Sequence, residues 1–346
     1  MLINTRHNEN DVRCRLRFLL GQYKQDAARI VDALRQRVAA LEDAGASEAK
    51  CKDAAEDASR AHACGTHNAS ILEALFRAAE FSQPIDHNSG HGGALYDSGT
   101  QILRCLARDW SPCCASARNR VLEPVLHRLR AGLTYNEGQS KVPTLWVPGC
   151  GMGRLALEAA ARFQCNVVAN DESTAIVAAL GGFLKQQSVN FYPAFDAVAP
   201  GCRFQNFEAE VTADDDTNHR VSLLQAAQQV RIEHGDFISQ SGSATSFEAV
   251  ATLFVLDTVA SMPAAIKAVA CALCPGGMWV NCGPLKKHRE HRLFTFEDIA
   301  SFAEAYGLLV EENACIEDCE YISREVSLSV RELYDVQLFV ARKPME

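Results

Sequence analysis

The stretch TLWVPGCGMGR, residues 144–154, sets Gly149, Gly151 and Gly153 directly behind a short apolar strand and ahead of a helical run. Glycine loses more freedom on ordering than any other residue. Alternate glycines in this place therefore mark backbone that turns sharply or lies against a ligand. The pattern is G-x-G-x-G with arginine at 154, which departs from the G-x-G-x-x-G that cradles a pyrophosphate and suits a ligand lacking that group. A tight strand-to-helix turn with no ligand is the plainer alternative. The next apolar strand ends in NDES, with Asp171 lying 22 residues beyond Gly149. An acidic side chain at that strand end is suited to accept the hydroxyl protons of a ribose. A third strand ends in HGDF, where Asp236 suits an exocyclic amine and Phe237 a purine face. In chain order these give main chain, sugar-binding carboxylate and base-binding pair, which together suit adenosine.

The elements that must position these residues follow from the spacing of apolar side chains. Residues 11–43 repeat apolar positions every three or four residues, the pattern of a long amphipathic helix. Residues 44–68 are small and polar and read as a weak helix or linker. Helical periodicity resumes at Ile71–Phe81, the stretch 82–99 is a loop by composition, and two more helices are expected near 99–109 and 116–132. The first 135 residues are thus expected to be helical throughout, and residues 136–346 to form a second unit. There, apolar strands alternate with crossover helices, while the last two strands follow one another without a helix. The expected fold is α/β, a doubly wound, mostly parallel seven-stranded sheet with one antiparallel strand and an N-terminal helical region. Residues 192–224, including the acidic TADDDTNH, read as an insertion with little regular structure.

Bulk properties narrow the partners. The 346-residue chain is 48% hydrophobic and 22% charged, with a net charge of −9 and no Lys/Arg block that would track a nucleic-acid backbone. No nucleic-acid partner is expected. No run is long and apolar enough to span a membrane, and MLINTRHNENDVRCR has no secretory h-region. The 14 cysteines then read as reduced thiols of a cytoplasmic protein, with the nucleus left open as a location. Cys271 and Cys274 form one C-x-x-C with no second pair at zinc spacing, and His288 and His291 lack a neighbouring ligand, so no metal site is expected. The oligomeric state is not legible.

At this point a family resemblance emerges. VPGCGMGRLALE, ANDES, GDF, ATLFVLDT, NCGPL with a following histidine, and the terminal YDVQLFVARKP occur in one order. The series resembles the carnosine N-methyltransferase family, as does RDWS at 108–111, and the likeness covers about residues 100–346. It implies S-adenosylmethionine as cofactor, with Arg108 holding the methionine end, Gly149 in backbone contact, Asp171 on the ribose, and Asp236 with Phe237 on the adenine. It also implies a small histidine-containing dipeptide as substrate, held by Asp257, His288 and Tyr334. The chain departs from the family at Cys105, where the family has Gln, and at Glu332, where it has a second tyrosine. An NAD-dependent oxidoreductase, a non-catalytic scaffold of the same fold, and a methyltransferase of histidine in a peptide or protein are the competing readings.

Overall fold

The computed structural model describes residues 3–4, 9–81, 98–133, 141–193, 204–213, 221–240, 246–285, 294–326 and 331–345. Two long helices come first, α1 (Glu9–Asp43) and α2 (Glu48–Ala78). In α1 the buried residues Val12, Leu16, Leu19, Tyr23, Ala27, Val31 and Leu34 form one stripe. In α2 the buried face carries Ala54, Ala58, Ala61, Cys64 and Gly65 before the larger Leu72, Leu75 and Phe76. The region expected as a weak helix or linker is therefore a full part of α2. Its buried stripe is made of small residues, which give little hydrophobic contrast and let α1 approach closely. Ahead of both, Ile3–Asn4 forms a two-residue strand, β1, so the N-terminal region is not helical throughout. Ile3 is fully buried, and its N–H donates to the Glu80 carbonyl at 2.8 Å.

Helices α3 (Gly99–Trp110) and α4 (Ala115–Leu133) follow, joined by a 3₁₀ turn at Pro112–Cys114. Ser98 caps α3 by accepting from the Gln101 N–H at 3.1 Å. The alternating part then runs β2 (Thr144–Pro148), α5 (Arg154–Phe163), β3 (Asn166–Asp171) and α6 (Thr174–Gln186). Next come β4 (Ser188–Phe191), β5 (Phe207–Glu210), α7 (Leu223–Ala226), β6 (Val230–His234) and α8 (Phe237–Gln240). The chain closes with β7 (Phe247–Leu253), α9 (Met262–Ala272), β8 (Leu273–Gly283), α10 (Phe296–Ala305), β9 (Leu309–Glu320) and β10 (Leu333–Arg342).

The main sheet has the order β1-β6-β3-β2-β7-β8-β10-β9. Seven of these strands are those expected, and β1 adds an edge beside β6. Neighbouring strands are parallel except at β10, which is antiparallel to both β8 and β9. From β2 the chain winds outward through β3 to β6, then returns to the other side of β2 at β7. The carboxyl end of β2 is thus the topological switch point, where an open α/β sheet has its crevice. Strands β2 and β7 read as nearly unbroken apolar runs because both of their faces are buried.

The region expected as an irregular insertion, 192–224, contains an ordered strand, β5, which pairs with β4 immediately ahead of that region. Strands β4 and β5 form an antiparallel ribbon, with Phe191 opposite Phe207 and with Val189, Phe191, Phe207 and Ala209 turned inward. Four-residue strands give too short an alternation to stand out from a polar stretch. Residues 194–203 and 214–220 of that region, with most of the 82–99 loop, lie outside the described residues.

Candidate functional site

The glycine loop adopts the backbone its composition demands. Gly149, Gly151 and Gly153 have φ of +63°, +53° and +79°, the left-handed region that a side chain strains. A Cβ on Gly149 would stand 2.6 Å from Val255 Cγ2, and one on Gly153 would stand 2.9 Å from Leu180 Cδ1. These two glycines serve packing. A Cβ on Gly151 would instead meet Arg108 Nη2 at 3.2 Å, so this glycine lets a guanidinium lie against the loop. The Gly151 N–H donates to Asp171 Oδ2 at 3.1 Å, while Asp171 Oδ1 accepts from the Ser173 N–H at 2.9 Å. A carboxylate has further acceptor positions beyond these two contacts.

The neighbouring strand tips are tied into the same unit. The Gly235 N–H donates to the Asp171 carbonyl at 2.9 Å, and the Asn170 side chain bridges from the Trp146 indole N–H (2.9 Å) to the Gly235 carbonyl (2.9 Å). Asp236 is exposed at the tip of β6, with Oδ1 accepting from the Ile238 N–H at 3.0 Å. The ring of Phe237 is buried and meets Trp146 edge to face, with centroids 5.9 Å apart. It therefore forms a wall beside the loop rather than an open platform.

The C-terminal turn of α3 supplies what the sheet lacks. Arg108 donates from Nε to Asp109 Oδ1 at 2.6 Å and from Nη1 to the Tyr321 hydroxyl at 2.7 Å, with its guanidinium carbon 4.9 Å from the Tyr321 ring centre. Burial alone would lower the Arg108 pKa, but the Asp109 charge overrides it and holds the guanidinium firmly protonated. Asp109 Oδ2 also accepts from the Met152 N–H at 3.2 Å, and the Trp110 indole donates to the Met152 carbonyl at 2.8 Å. Asp109 and Trp110 thus grip the two peptide units on either side of the Met152 Cα in the glycine loop. The buried Arg118 donates to the carbonyls of Arg108 (2.9 Å) and Ser111 (3.2 Å), satisfying the end of α3. Asp109, Trp110 and Arg118 were missed in the sequence. The first two stand beside Arg108 in RDWS, which was the available signal.

On the other side of the crevice, β7 ends in a turn that begins at Phe254, whose φ of +55° is exceptional for a bulky residue. Gly283 permits this turn, since a Cβ there would lie 3.1 Å from the Phe254 nitrogen. The strained backbone carries the Phe254 ring into edge-to-face contact with Tyr321 (5.2 Å) and Tyr334 (6.2 Å), and those two rings meet at 6.1 Å. Asp257, three residues on, is buried. Burial, together with the Asp257 charge among its neighbours, raises the phenol pKa of Tyr321 above its ordinary value. Burial and then the charges of Glu332 and Asp257 do the same for Tyr334. Both phenols stay neutral hydrogen-bond donors. The group is an aromatic cage of three rings in mutual edge-to-face contact near a buried carboxylate.

A cleft of about 550 Å³, counting its open mouth, runs past Arg108, Gly149, Cys150, Phe254 and Tyr321. The structure brings Gly151, Asp171 and Arg108 together at the glycine loop and sets Asp257 near Tyr334 and Tyr321. His288 lies outside the described residues. Cys105 is buried one turn before Arg108 and accepts from the Gln101 amide at 3.4 Å. Burial raises the thiol pKa of Cys105 and of Cys150, so neither cysteine is a ready nucleophile.

A doubly wound sheet with one antiparallel strand next to its edge and a glycine loop at the switch point is a methyltransferase-type fold. A model of the carnosine N-methyltransferase family matches residues 95–345, and the chain belongs to that family. It is 27% identical over 255 residues to "Carnosine N-methyltransferase unmet" of Drosophila melanogaster, covering 70% of this chain and 54% of that protein. It is 25% identical over 259 residues to a carnosine N-methyltransferase of Mus musculus (72% and 63% covered). A carnosine N-methyltransferase of Schizosaccharomyces pombe is 27% identical over 253 residues (67% and 64% covered). The chain spans between about half and two thirds of the length of these relatives.

Proposed function

We propose that this protein is an S-adenosylmethionine-dependent N-methyltransferase acting on an imidazole nitrogen of carnosine or a related histidine-containing dipeptide. The observation that carries the reading is the joining of two halves. Arg108, which lies against the glycine loop, donates at 2.7 Å to Tyr321, which is a wall of the aromatic and carboxylate cage. One arginine thus ties a nucleoside-type cradle to a pocket for a flat nitrogen heterocycle.

The residues fit S-adenosylmethionine by their chemistry. The missing side chain of Gly151 leaves backbone open beside a guanidinium, and a guanidinium suits an amino-acid carboxylate. Asp171 suits ribose hydroxyls, and Asp236 with the Phe237 wall suits an adenine edge. The bound cofactor would supply an electrophilic methyl group on a sulfonium.

The chain's own part is to prepare the acceptor. Neutral imidazole carries a proton on one ring nitrogen and a lone pair on the other. Asp257 accepts that N–H, which fixes the tautomer and leaves the opposite lone pair as nucleophile. The three rings hold the imidazole plane, and Tyr334 with His288 orients the rest of the dipeptide. The ring, once methylated by the bound cofactor, would be an imidazolium beside the Asp257 carboxylate. Its N–H proton then passes to Asp257 and on to water, leaving neutral N-methylimidazole. Holding methyl and nitrogen in line supplies the remaining rate enhancement.

The test is incubation with methyl-labelled S-adenosylmethionine and a panel of carnosine, related dipeptides and histidine peptides, followed by mass spectrometry. Transfer to the imidazole of carnosine, falling away in acid as the free ring protonates near pH 6.5, is the expected result. Asp257→Asn is expected to lower turnover by about two orders of magnitude with little change in cofactor affinity. Transfer to a non-imidazole group, or equal loss of turnover and cofactor affinity in that variant, refutes the assignment.

A further inference from the structure

The cage has a charged rim, the pair Arg104–Glu332. Glu332 lies immediately ahead of β10, and its carbonyl accepts from the Tyr321 N–H at 3.1 Å, so it stands opposite a cage residue across the ladder. Along this strand Glu332 and Tyr334 are half-buried while Arg331, Leu333 and Asp335 are exposed, so the two share the inward face. Glu332 pairs with Arg104 at 2.8 Å, and Arg104 lies one turn before Arg108 on the same face of α3. The Glu332, Asp257 and Arg104 charges all act on the Tyr334 phenol, which places the pair next to the cage.

This pair is a poor structural device and a good receptor. Its side chains keep 27% and 29% of their exposure, and a pair so wetted contributes little to stability. Opening it therefore demands little. A zwitterion entering between the two offers each partner a replacement of the same sign, so no charge is left unpaired.

Building on the function proposed above, we infer that Arg104 and Glu332 form a two-ended clamp for the substrate's charged termini. Arg104 takes the carboxylate and Glu332 takes the ammonium of a free zwitterionic dipeptide whose imidazole occupies the cage. The clamp selects short acceptors with both ends free over blocked dipeptides and over histidine within a longer chain.

The experiment measures methyl-transfer kinetics on carnosine, N-acetylcarnosine and carnosine amide for the full-length protein and for Glu332→Gln and Arg104→Gln. Wild type is expected to show a KM for carnosine about tenfold or more below that of either blocked form, the worth of one charge-assisted hydrogen bond. Glu332→Gln is expected to raise the carnosine KM about tenfold and leave N-acetylcarnosine unchanged, keeping discrimination against the amide. Arg104→Gln is expected to give the mirror pattern. The blocked acceptor is the internal control within each variant, so a general loss of folded protein cannot imitate the result. A wild type indifferent to blocking, or variants that shift all three acceptors alike, overturns the clamp while leaving imidazole methylation standing. Absence of transfer to any of the three overturns the proposed function and the clamp with it.

Discussion

Gly151→Ala separates the two reasons a glycine can occupy the loop. At φ +53° an alanine meets the left-handed penalty, roughly 1–2 kcal/mol. For a chain of 346 residues the unfolding entropy is about 0.7 kcal/mol per kelvin, so the unliganded Tm should fall by about 1–3 °C. The added methyl would stand 3.2 Å from Arg108 Nη2 and 3.7 Å from Asp109 Oδ2, beside the guanidinium proposed to hold the cofactor's carboxylate. It therefore intrudes on the ligand rather than on the core.

The ligand effect is the larger one. S-adenosylhomocysteine at 100 times its Kd stabilises the folded state by about 2.7 kcal/mol, or about 4 °C here. If the methyl weakens binding about 30-fold, the same concentration is only about three times Kd, and the shift collapses to about 1 °C. Thermal unfolding with and without that ligand, for wild type and Gly151→Ala, reads both numbers. Gly149→Ala is the contrast, since its Cβ would be driven to 2.6 Å from Val255 and the loss would fall on the unliganded protein. A Gly151→Ala protein that loses 1–3 °C unliganded yet keeps the full ligand shift refutes the reasoning. The glycine would then serve the turn alone.

Arg118→Met should lower stability by about 2–4 kcal/mol, because it leaves the last carbonyls of α3 buried without their donor. Calorimetry should show that loss together with weaker S-adenosylhomocysteine binding, and a change in neither would remove Arg118 from the support of Arg108. The Tyr321 phenol has its pKa raised by burial, so it holds its proton more tightly in the folded state than in the unfolded one. Its contribution to stability is full below pH ~10 and is lost as pH rises from there, so Tyr321→Phe should flatten the alkaline limb of the stability profile. An unchanged alkaline limb would mean that the phenol is not protected in the fold.

What was readable in advance follows the range of the interactions. Strands β2 and β7 announce themselves as unbroken apolar runs, and Gly151, Asp171 and Asp236 stand at the tips of β2, β3 and β6 because the crevice of such a sheet lies at carboxyl ends. Helix α2 was harder, since alanine and cysteine on its buried face hardly differ in hydrophobicity from the polar side. The β4–β5 ribbon was hidden by its brevity. The cage was partly legible: Asp257 and Tyr334 came through likeness to a family, whereas Tyr321 had no local signal. Its place depends on the antiparallel pairing of β9 with β10, a contact between separate segments that no short pattern encodes. Phe254 shows the same limit, because its left-handed backbone is imposed by close approach to Gly283.

The helical region is joined to the chemistry through one short segment. In the proposed function the groups for sugar and base all come from strand tips of the sheet. The cation for a carboxylate comes from α3, whose position depends on Arg118 beneath it and on Asp109 and Trp110 gripping Met152. Asp109 is shared between Arg108 and the loop, so displacement of α3 releases the guanidinium and the loop peptide together. Arg104, on the same helix face, then loses its register with Glu332. In the proposed function, cofactor grip and acceptor rim are coupled through one twelve-residue helix. A substitution that shifts α3 without touching the cleft should therefore weaken both ligands, whereas a change confined to Asp171 or Glu332 should weaken only one.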